Sequence, residues 1–301
     1  MNSILIIGGG FVAKSLAERL SRCSDVSVVT SRVGSVTQLT CNPKFYSSLD
    51  KFQRSRVRPD VVIFSTGPSS TKVCAESLNR FKTELVLSIR YAEKIRAHSF
   101  IYVSSGGAIY APSSSQLTES SPLDVDSAYS RFHIDCEDLL RSSNVILNRL
   151  CFRLGNPFGK YQNPSRSVGF VGMAMRSALF SSRLTIIGDG LICRDFFHIN
   201  LFTDFLAAGS FSSHRGFQVV NFGSGESMSL LDVVRMVSKV TSRELRVDWR
   251  PDLSTSRPIV RLDVSKLSRV FGFAPDYDAE SAFRQLFEEW SALPEDDLNR
   301  F

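Results

Sequence analysis

The stretch Ile4-Leu5-Ile6-Ile7-Gly8-Gly9-Gly10-Phe11-Val12-Ala13 decides the fold of this 301-residue chain. Four apolar residues run into three glycines, and the glycines run into a segment of helical period from Val12 to Arg22. A short apolar run bounded by turn residues reads as a buried strand, so the stretch predicts a strand, a tight turn and a helix. The pattern then repeats. Apolar runs at Val26 to Val29, Val61 to Phe64 and Phe100 to Val103 alternate with helical candidates at Val73 to Phe81 and Glu84 to Ala97. Four such units before Ser105 predict an α/β protein built on a Rossmann-type, doubly wound parallel sheet.

The glycines fit the spacing G-x-G-x-x-A. Gly8 suits the tight turn, Gly10 lets a pyrophosphate approach the backbone, and Ala13 packs helix on strand, with Phe11 and Val12 opening a helix whose N-terminus favours an anion. Dinucleotide binding is the expectation. An Asp or Glu about 20 residues on would hold the ribose 2′-hydroxyl of NAD, but this chain has Thr30-Ser31-Arg32. Ser31 and Arg32 suit a 2′-phosphate, which favours NADP; the alternative is a solvated Arg32 and NAD held less tightly at the ribose.

Composition narrows the classes. A hydrophobic fraction of 43 % builds a sizeable core, and no window approaches the roughly 18 uninterrupted apolar residues of a membrane span. Ile4 to Ile7 is too short for an export signal, which leaves a cytoplasmic expectation. The net charge of +6 is scattered, without a block of like charges, so neither nucleic acid nor a membrane is an expected partner. Arginine outnumbers lysine 27 to nine, which suits an anionic small molecule. Six cysteines show neither C-x-x-C spacing nor companion histidines, so buried, reduced thiols and no metal are expected. Beyond Asn156 the texture changes, with Gly, Pro, Asn and Ser crowding 155–169, a helix near Val171 to Phe180 and another at Ala279 to Ser291. We expect a dinucleotide-binding domain over 1–155, with a returning segment near 194–224, and a smaller mixed α/β substrate domain over 156–301.

Two further stretches carry chemistry. Tyr102-Val103-Ser104-Ser105-Gly106-Gly107-Ala108-Ile109-Tyr110 ends a predicted strand in hydroxyls and glycines, and Tyr129-Ser130-Arg131-Phe132-His133 opens a helix. With Pro59-Asp60-Val61, Arg153-Leu154-Gly155-Asn156-Pro157-Phe158-Gly159, Gly188-Asp189-Gly190, Arg194-Asp195-Phe196 and Asn221-Phe222-Gly223-Ser224 in order, the chain resembles the extended short-chain dehydrogenase/reductases of the nucleotide-sugar epimerase and dehydratase group, over nearly its whole length.

The resemblance implies a Tyr as general acid/base, a hydroxyl that orients the reacting oxygen, and a Lys four residues after the Tyr that lowers its pKa and binds the nicotinamide ribose. Tyr129 carries over. His133 stands in place of the Lys, and a mostly neutral imidazole supplies less field to a tyrosinate, whose free phenol titrates near 10. The family register for the hydroxyl falls on Gly106, so Ser105 is the first choice and Ser104, also a cofactor contact, the second. Gly106-Gly107-Ala108 lacks the acidic pair of the dehydratases, which leaves epimerisation or ketone reduction. Asn156 and Arg194 match the residues that hold the substrate diphosphate, with Gln162 and Arg257 as further substrate contacts; Arg194 could instead pair with Asp195 at the surface. The expected partner is a nucleoside-diphosphate sugar and the expected activity 4-epimerisation. An NADPH-dependent 4-ketoreductase and a non-catalytic nucleotide-binding protein are the alternatives. A homodimer is implied by the resemblance alone.

Overall fold

The computed structural model describes residues 3–31, 39, 41–68, 74–163, 169–251 and 259–293. In chain order the first half runs β1 (Ser3–Ile7), α1 (Phe11–Leu20), β2 (Asp25–Val29), β3 (Lys44–Tyr46), α2 (Leu49–Arg54), β4 (Val61–Phe64), α3 (Ala75–Ile95), β5 (Ser99–Ser105), α4 (Ala128–Arg141) and β6 (Asn148–Leu154). The second half adds β7 (Asn156–Phe158), α5 (Phe170–Phe180), β8 (Arg183–Ile187), β9 (Cys193–Arg194), β10 (Phe196–His198), α6 (Asn200–Ala208), β11 (Gly216–Phe222), β12 (Met228–Ser229), α7 (Leu230–Thr241), β13 (Arg246–Arg250), α8 (Ser265–Phe271) and α9 (Ala279–Ser291).

Seven strands form one parallel sheet in the order β11-β6-β5-β4-β1-β2-β3. β1 is buried along Ile4–Ile7 and β4 along Val61–Phe64, the near-continuous apolar runs of strands covered on both faces. On one face α1, α6 and α8 pack over Ile6, Phe152 and Phe222, where the rings of Phe202 and Phe205 lie 5.5 Å from Phe152. On the other, α3 and α4 cover Phe64, Phe100 and Tyr102. Each such side chain contributes roughly 1.5–3 kcal/mol on burial. Because the order reverses at β1, the carboxyl ends of β1 and β4 open a crevice where such sheets bind ligands.

The remaining strands make three two-stranded pairs, β10 with β7, β12 with β9 and β13 with β8. They pack with α5, α7 and α9 around Phe158, Met175, Phe283 and Trp290. The chain between them returns to the sheet through α6 and β11, whose register pairs Asn221 with Arg153.

Several elements differ from expectation. The two helices read at Val73 to Phe81 and Glu84 to Ala97 are one, α3, because Thr83 turns its hydroxyl to the carbonyl of Asn79 (2.9 Å) and Lys82 pairs with Asp135 on α4. β3 and α2 carried no apolar run long enough to announce them. The cysteines are all free thiols, but only Cys136 and Cys151 are buried; Cys23 and Cys74 are exposed, which corrects the expectation of buried thiols. Among the described residues no helix is long and apolar enough to cross a membrane, and no group of His, Cys, Asp and Glu could hold a metal ion.

Candidate active site

The glycine turn joins β1 to α1, and its three glycines answer to different neighbours. Gly8 has φ +142° and donates its amide to the Val29 carbonyl at 2.9 Å; a Cβ there would come within 2.8 Å of the Ser65 carbonyl oxygen. A Cβ on Gly9 would lie 2.1 Å from the hydroxyl of Thr30, so the middle glycine is also forced by packing. A Cβ on Gly10 would meet nothing within 4 Å. Gly10 is the N-cap of α1 and lends it no side-chain cap, and the first turn, opened by Phe11 and Val12, holds no acidic residue. The start of α1 therefore keeps clear space beside Gly10 and a positive dipole end without a side-chain cap, as an anion requires.

Val29 also lines a cavity of about 500 Å³ with Ser31, Ser48, Leu49, Arg80 and Glu84. It is large enough for the far end of a dinucleotide. Thr30 and Ser31 close β2 without a carboxylate, and Arg32 lies outside the described residues. Burial pushes the Glu84 carboxyl up against the pull of Arg80. Sequence reasoning missed Arg80 and Glu84 because they reach the cavity from the middle of α3.

Ser105 closes β5 at its carboxyl end and faces Tyr129, the second residue of α4. Burial raises the Tyr129 phenol above its ordinary value and the Ser105 hydroxyl pulls it partly back. The His133 ring lies one turn along α4, its centroid 4.7 Å from that of Tyr129. Ser105, Tyr129 and His133 are thus brought together. Gly106 could not carry the hydroxyl, since its Cβ would come within 2.8 Å of both the Arg153 carbonyl oxygen and the Leu262 side chain. That crowding accounts for the shift of one residue from the family register.

His133 is buried, and burial with the nearby Arg153 charge lowers its pKa to about 3, so the ring is neutral at physiological pH. Its Nδ1 is 2.7 Å from the Tyr102 hydroxyl. Its Nε2 is buried without a partner among the described residues.

Beneath this pair runs a buried polar network. Ser104, expected at the cofactor, instead donates its hydroxyl to Glu137 Oε1 at 2.7 Å, because Phe100, Tyr102 and Ser104 alternate onto the sheet face that α4 covers. Arg153 grips Glu137 through Nε at 3.0 Å and Nη2 at 2.7 Å, and donates Nη1 to Tyr110 Oη at 3.0 Å. Tyr110 donates in turn to Asn221 Oδ1, and Asn221 Nδ2 donates to the carbonyls of Leu117 and Asp263. Arg153 and Glu137 are 4 % and 2 % exposed, so the pair is desolvated and its forked geometry holds α4 to β6. Its one signal in the sequence is spacing: Tyr129, His133 and Glu137 recur every four residues and share a helix face.

The expected substrate contacts are dispersed. Asn156 begins β7, donates its amide to the Asp195 carbonyl at 2.7 Å and keeps Oδ1 buried without a partner, beside Gly107. Gln162 packs against Gly169 and Gly172 at the start of α5, with Oε1 buried and unpartnered. Arg194 lies half-buried in β9 and donates Nη1 to the Cys193 carbonyl at 2.8 Å. Asp195 is buried and turned to the strand end after β11, accepting from Ser224 N at 2.9 Å, Ser224 Oγ at 2.7 Å and Gly225 N at 3.1 Å. Asp195 is therefore an internal tie, which corrects the reading of it as a surface partner for Arg194; burial, opposed by those bonds, raises its pKa to about 6. Arg257 lies outside the described residues.

Comparison with known proteins bears on the family and the fold. The profile of the NAD dependent epimerase/dehydratase family matches residues 4–207. A dTDP-4-dehydro-6-deoxyglucose reductase of Escherichia coli is 24 % identical over 178 residues, 58 % of this chain and 56 % of that protein, so the match spans little over half of the relative. UDP-glucose 4-epimerase 4 of Oryza sativa subsp. japonica is 26 % identical over 266 residues, 79 % of this chain and 70 % of the relative. Among solved structures, UDP-glucose 4-epimerase of Thermotoga maritima with UDP-glucose superposes with a TM-score of 0.85 at 20 % identity, covering 96 % of this chain and 99 % of that one. UDP-N-acetylglucosamine 4-epimerase of Methanobrevibacter ruminantium gives a TM-score of 0.85 at 17 % identity, covering 97 % and 98 %. At such identities the superpositions establish the fold.

Proposed function

The chain belongs to the NAD dependent epimerase/dehydratase family, and on that premise we propose that it epimerises a nucleoside-diphosphate sugar at C4. The observation that carries the reading is the packing of the Tyr129 ring on His133, 4.7 Å between centroids, next to Ser105 at the carboxyl edge of the sheet that presents the uncapped glycine turn. A bound nicotinamide dinucleotide supplies the hydride acceptor and donor. Gly8 and Gly10, with the amides of Phe11 and Val12, hold its pyrophosphate. Tyr129 Oη accepts the proton of the sugar hydroxyl as the ketone forms and returns it as the ketone is reduced, while Ser105 orients the same oxygen. Asn156 and Arg194 bind the diphosphate, and Gln162 and Arg257 contact the substrate beyond it.

The missing carboxylate after β2 supports acceptance of NADP at Ser31 and Arg32, and it is the one observation that favours a 4-ketoreductase using exchangeable NADPH. In this reading residues 1–155, with the returning segment near 194–224, bind the dinucleotide and 156–301 the sugar. The free thiols support action in the cytoplasm. A homodimer, implied by the family resemblance, completes the proposal and is read by sedimentation.

The test is to purify the protein, identify co-purifying dinucleotide by mass spectrometry, titrate NAD and NADPH, and incubate with UDP-, GDP- and dTDP-sugars read by proton NMR. The expected result is a C4-inverted sugar without net cofactor turnover. Stoichiometric NADPH consumption on a 4-keto sugar identifies the reductase, binding without turnover the non-catalytic alternative, and failure to bind either dinucleotide at millimolar concentration removes the reading.

A further inference from the structure

His133 presents a question that the proposed function leaves open: an imidazole in the place of a lysine can be a donor or a bare acceptor, and the two would meet a ribose hydroxyl differently. The structure bears on the answer through Tyr102, an aromatic residue on β5 that is fully buried. Its hydroxyl lies 2.7 Å from His133 Nδ1.

The hydroxyl has one proton to place. An imidazole nitrogen is a far better acceptor than a thiol, whereas a thiol can donate weakly to a phenol oxygen. Tyr102 therefore donates to Nδ1, its one hydrogen-bond partner among the described residues. Burial keeps both the phenol and the thiol protonated, the Cys136 pKa standing at about 12, and keeps the imidazole neutral. The other charged and titratable groups around the pair do not supply a competing proton. Burial keeps the Tyr129 phenol protonated, Glu137 is held by Arg153, Lys82 pairs with Asp135, and the Cys151 thiol is pushed far up by burial. With Nδ1 occupied as an acceptor, the ring proton sits on Nε2, a buried atom that has no partner among the described residues.

We infer that Tyr102 is a positioning residue that fixes His133 as a neutral Nε2–H donor beside Tyr129, directed at a hydroxyl of the bound cofactor or substrate. The inference rests on the reading of Tyr129 and His133 as the reaction centre. Tyr102 touches neither ligand; it acts through the imidazole. The pair supplies the donor that a lysine would bring without the positive charge.

Nitrogen-15 NMR of histidine-labelled protein tests this independently of turnover. The expected His133 signals are a pyridine-type Nδ1 and a pyrrole-type Nε2, unchanged between pH 5 and 8, and collapsing toward a tautomer mixture in Tyr102→Phe. A pyrrole-type Nδ1 in the wild type overturns the inference, and this wild-type measurement decides it even if Tyr102→Phe fails to fold. The second arm is a cycle on dinucleotide affinity by fluorescence titration. Tyr102→Phe should weaken binding about tenfold in the wild-type background and leave it unchanged in a His133→Ala background. Equal losses in both backgrounds would mean that Tyr102 only supports the core and would overturn the positioning role. If no nucleotide sugar is turned over, the proposed activity fails while both of these readouts still judge Tyr102.

Discussion

The two ends of the candidate site are made of different materials. The glycine end is backbone: amides of one turn and one helix, with Gly8 and Gly9 forced by Ser65 and Thr30 and only Gly10 left facing open space. The Tyr129 end is side chain, assembled from β5, α4 and β6 and seated on a desolvated ion pair. The contrast separates glycines that the fold requires from the one that folding alone does not explain. It also shows where failure should appear as lost stability and where as lost binding or rate.

The largest expected effect is at Tyr129. Tyr129→Phe removes the proton acceptor and leaves the ring, so turnover should fall about 10²–10⁴-fold, with dinucleotide binding and thermal midpoint nearly unchanged. Comparable turnover in variant and wild type by proton NMR would break the side-chain half of the comparison. Next is the ion pair beneath it. Arg153→Met strands the Glu137 carboxylate in a site 2 % exposed, with an expected loss of roughly 3–5 kcal/mol in denaturant unfolding. Arg153→Met with Glu137→Met should recover part of that loss, since neither charge is then stranded. A double variant no better than the single would show that the pair's packing, not its charge, holds α4 to β6.

The glycine end predicts the opposite pattern. Gly10→Ala adds a Cβ that meets nothing within 4 Å on a backbone of φ −84°, so unfolding should shift by no more than about 1 kcal/mol while dinucleotide affinity falls at least about tenfold. Gly8→Ala, at φ +142° and 2.8 Å from a carbonyl oxygen, should lower stability as well. If Gly10→Ala binds dinucleotide as the wild type does, the open space is not a pyrophosphate seat.

This difference in material also decided what could be read without a structure. Strand, turn and first helix are local, and β1, β2, β4 and β5 appear where the apolar runs placed them, with α9 matching its expected span. Tyr129 and His133 were legible because one helical turn is written directly as a spacing of four. Tyr102 was not, since an aromatic residue inside an apolar strand reads as core, and its hydroxyl gains meaning only from a histidine 31 positions away. Arg153 likewise read as part of a substrate motif, and only the register of β6 beside α4 turns it toward Glu137. The break placed between Phe81 and Glu84 failed because Thr83, a residue of modest helix propensity, bonds back to Asn79 and the packing of α3 on α4 outweighs the local preference.

The smallest expected effect is also the sharpest test of the side-chain end. Tyr129 stands above the ordinary phenol range because burial outweighs the pull of the Ser105 hydroxyl, and neutral His133 supplies no field to bring it down. A step that needs the phenolate should therefore gain rate as pH rises into the alkaline range. His133→Lys places an ammonium beside Tyr129. A cation favours the phenolate, so the phenol pKa falls and the rising limb of the pH–rate profile should move toward neutral by about 1–3 units. The burial and the Arg153 charge that keep His133 neutral also act against the ammonium, so the shift belongs at the low end of that range. Turnover near pH 7 should then be equal to or above that of the wild type. An unmoved limb would mean that the missing positive charge is not what sets it, and the neutral donor held by Tyr102 would then be sufficient for the reaction as it stands.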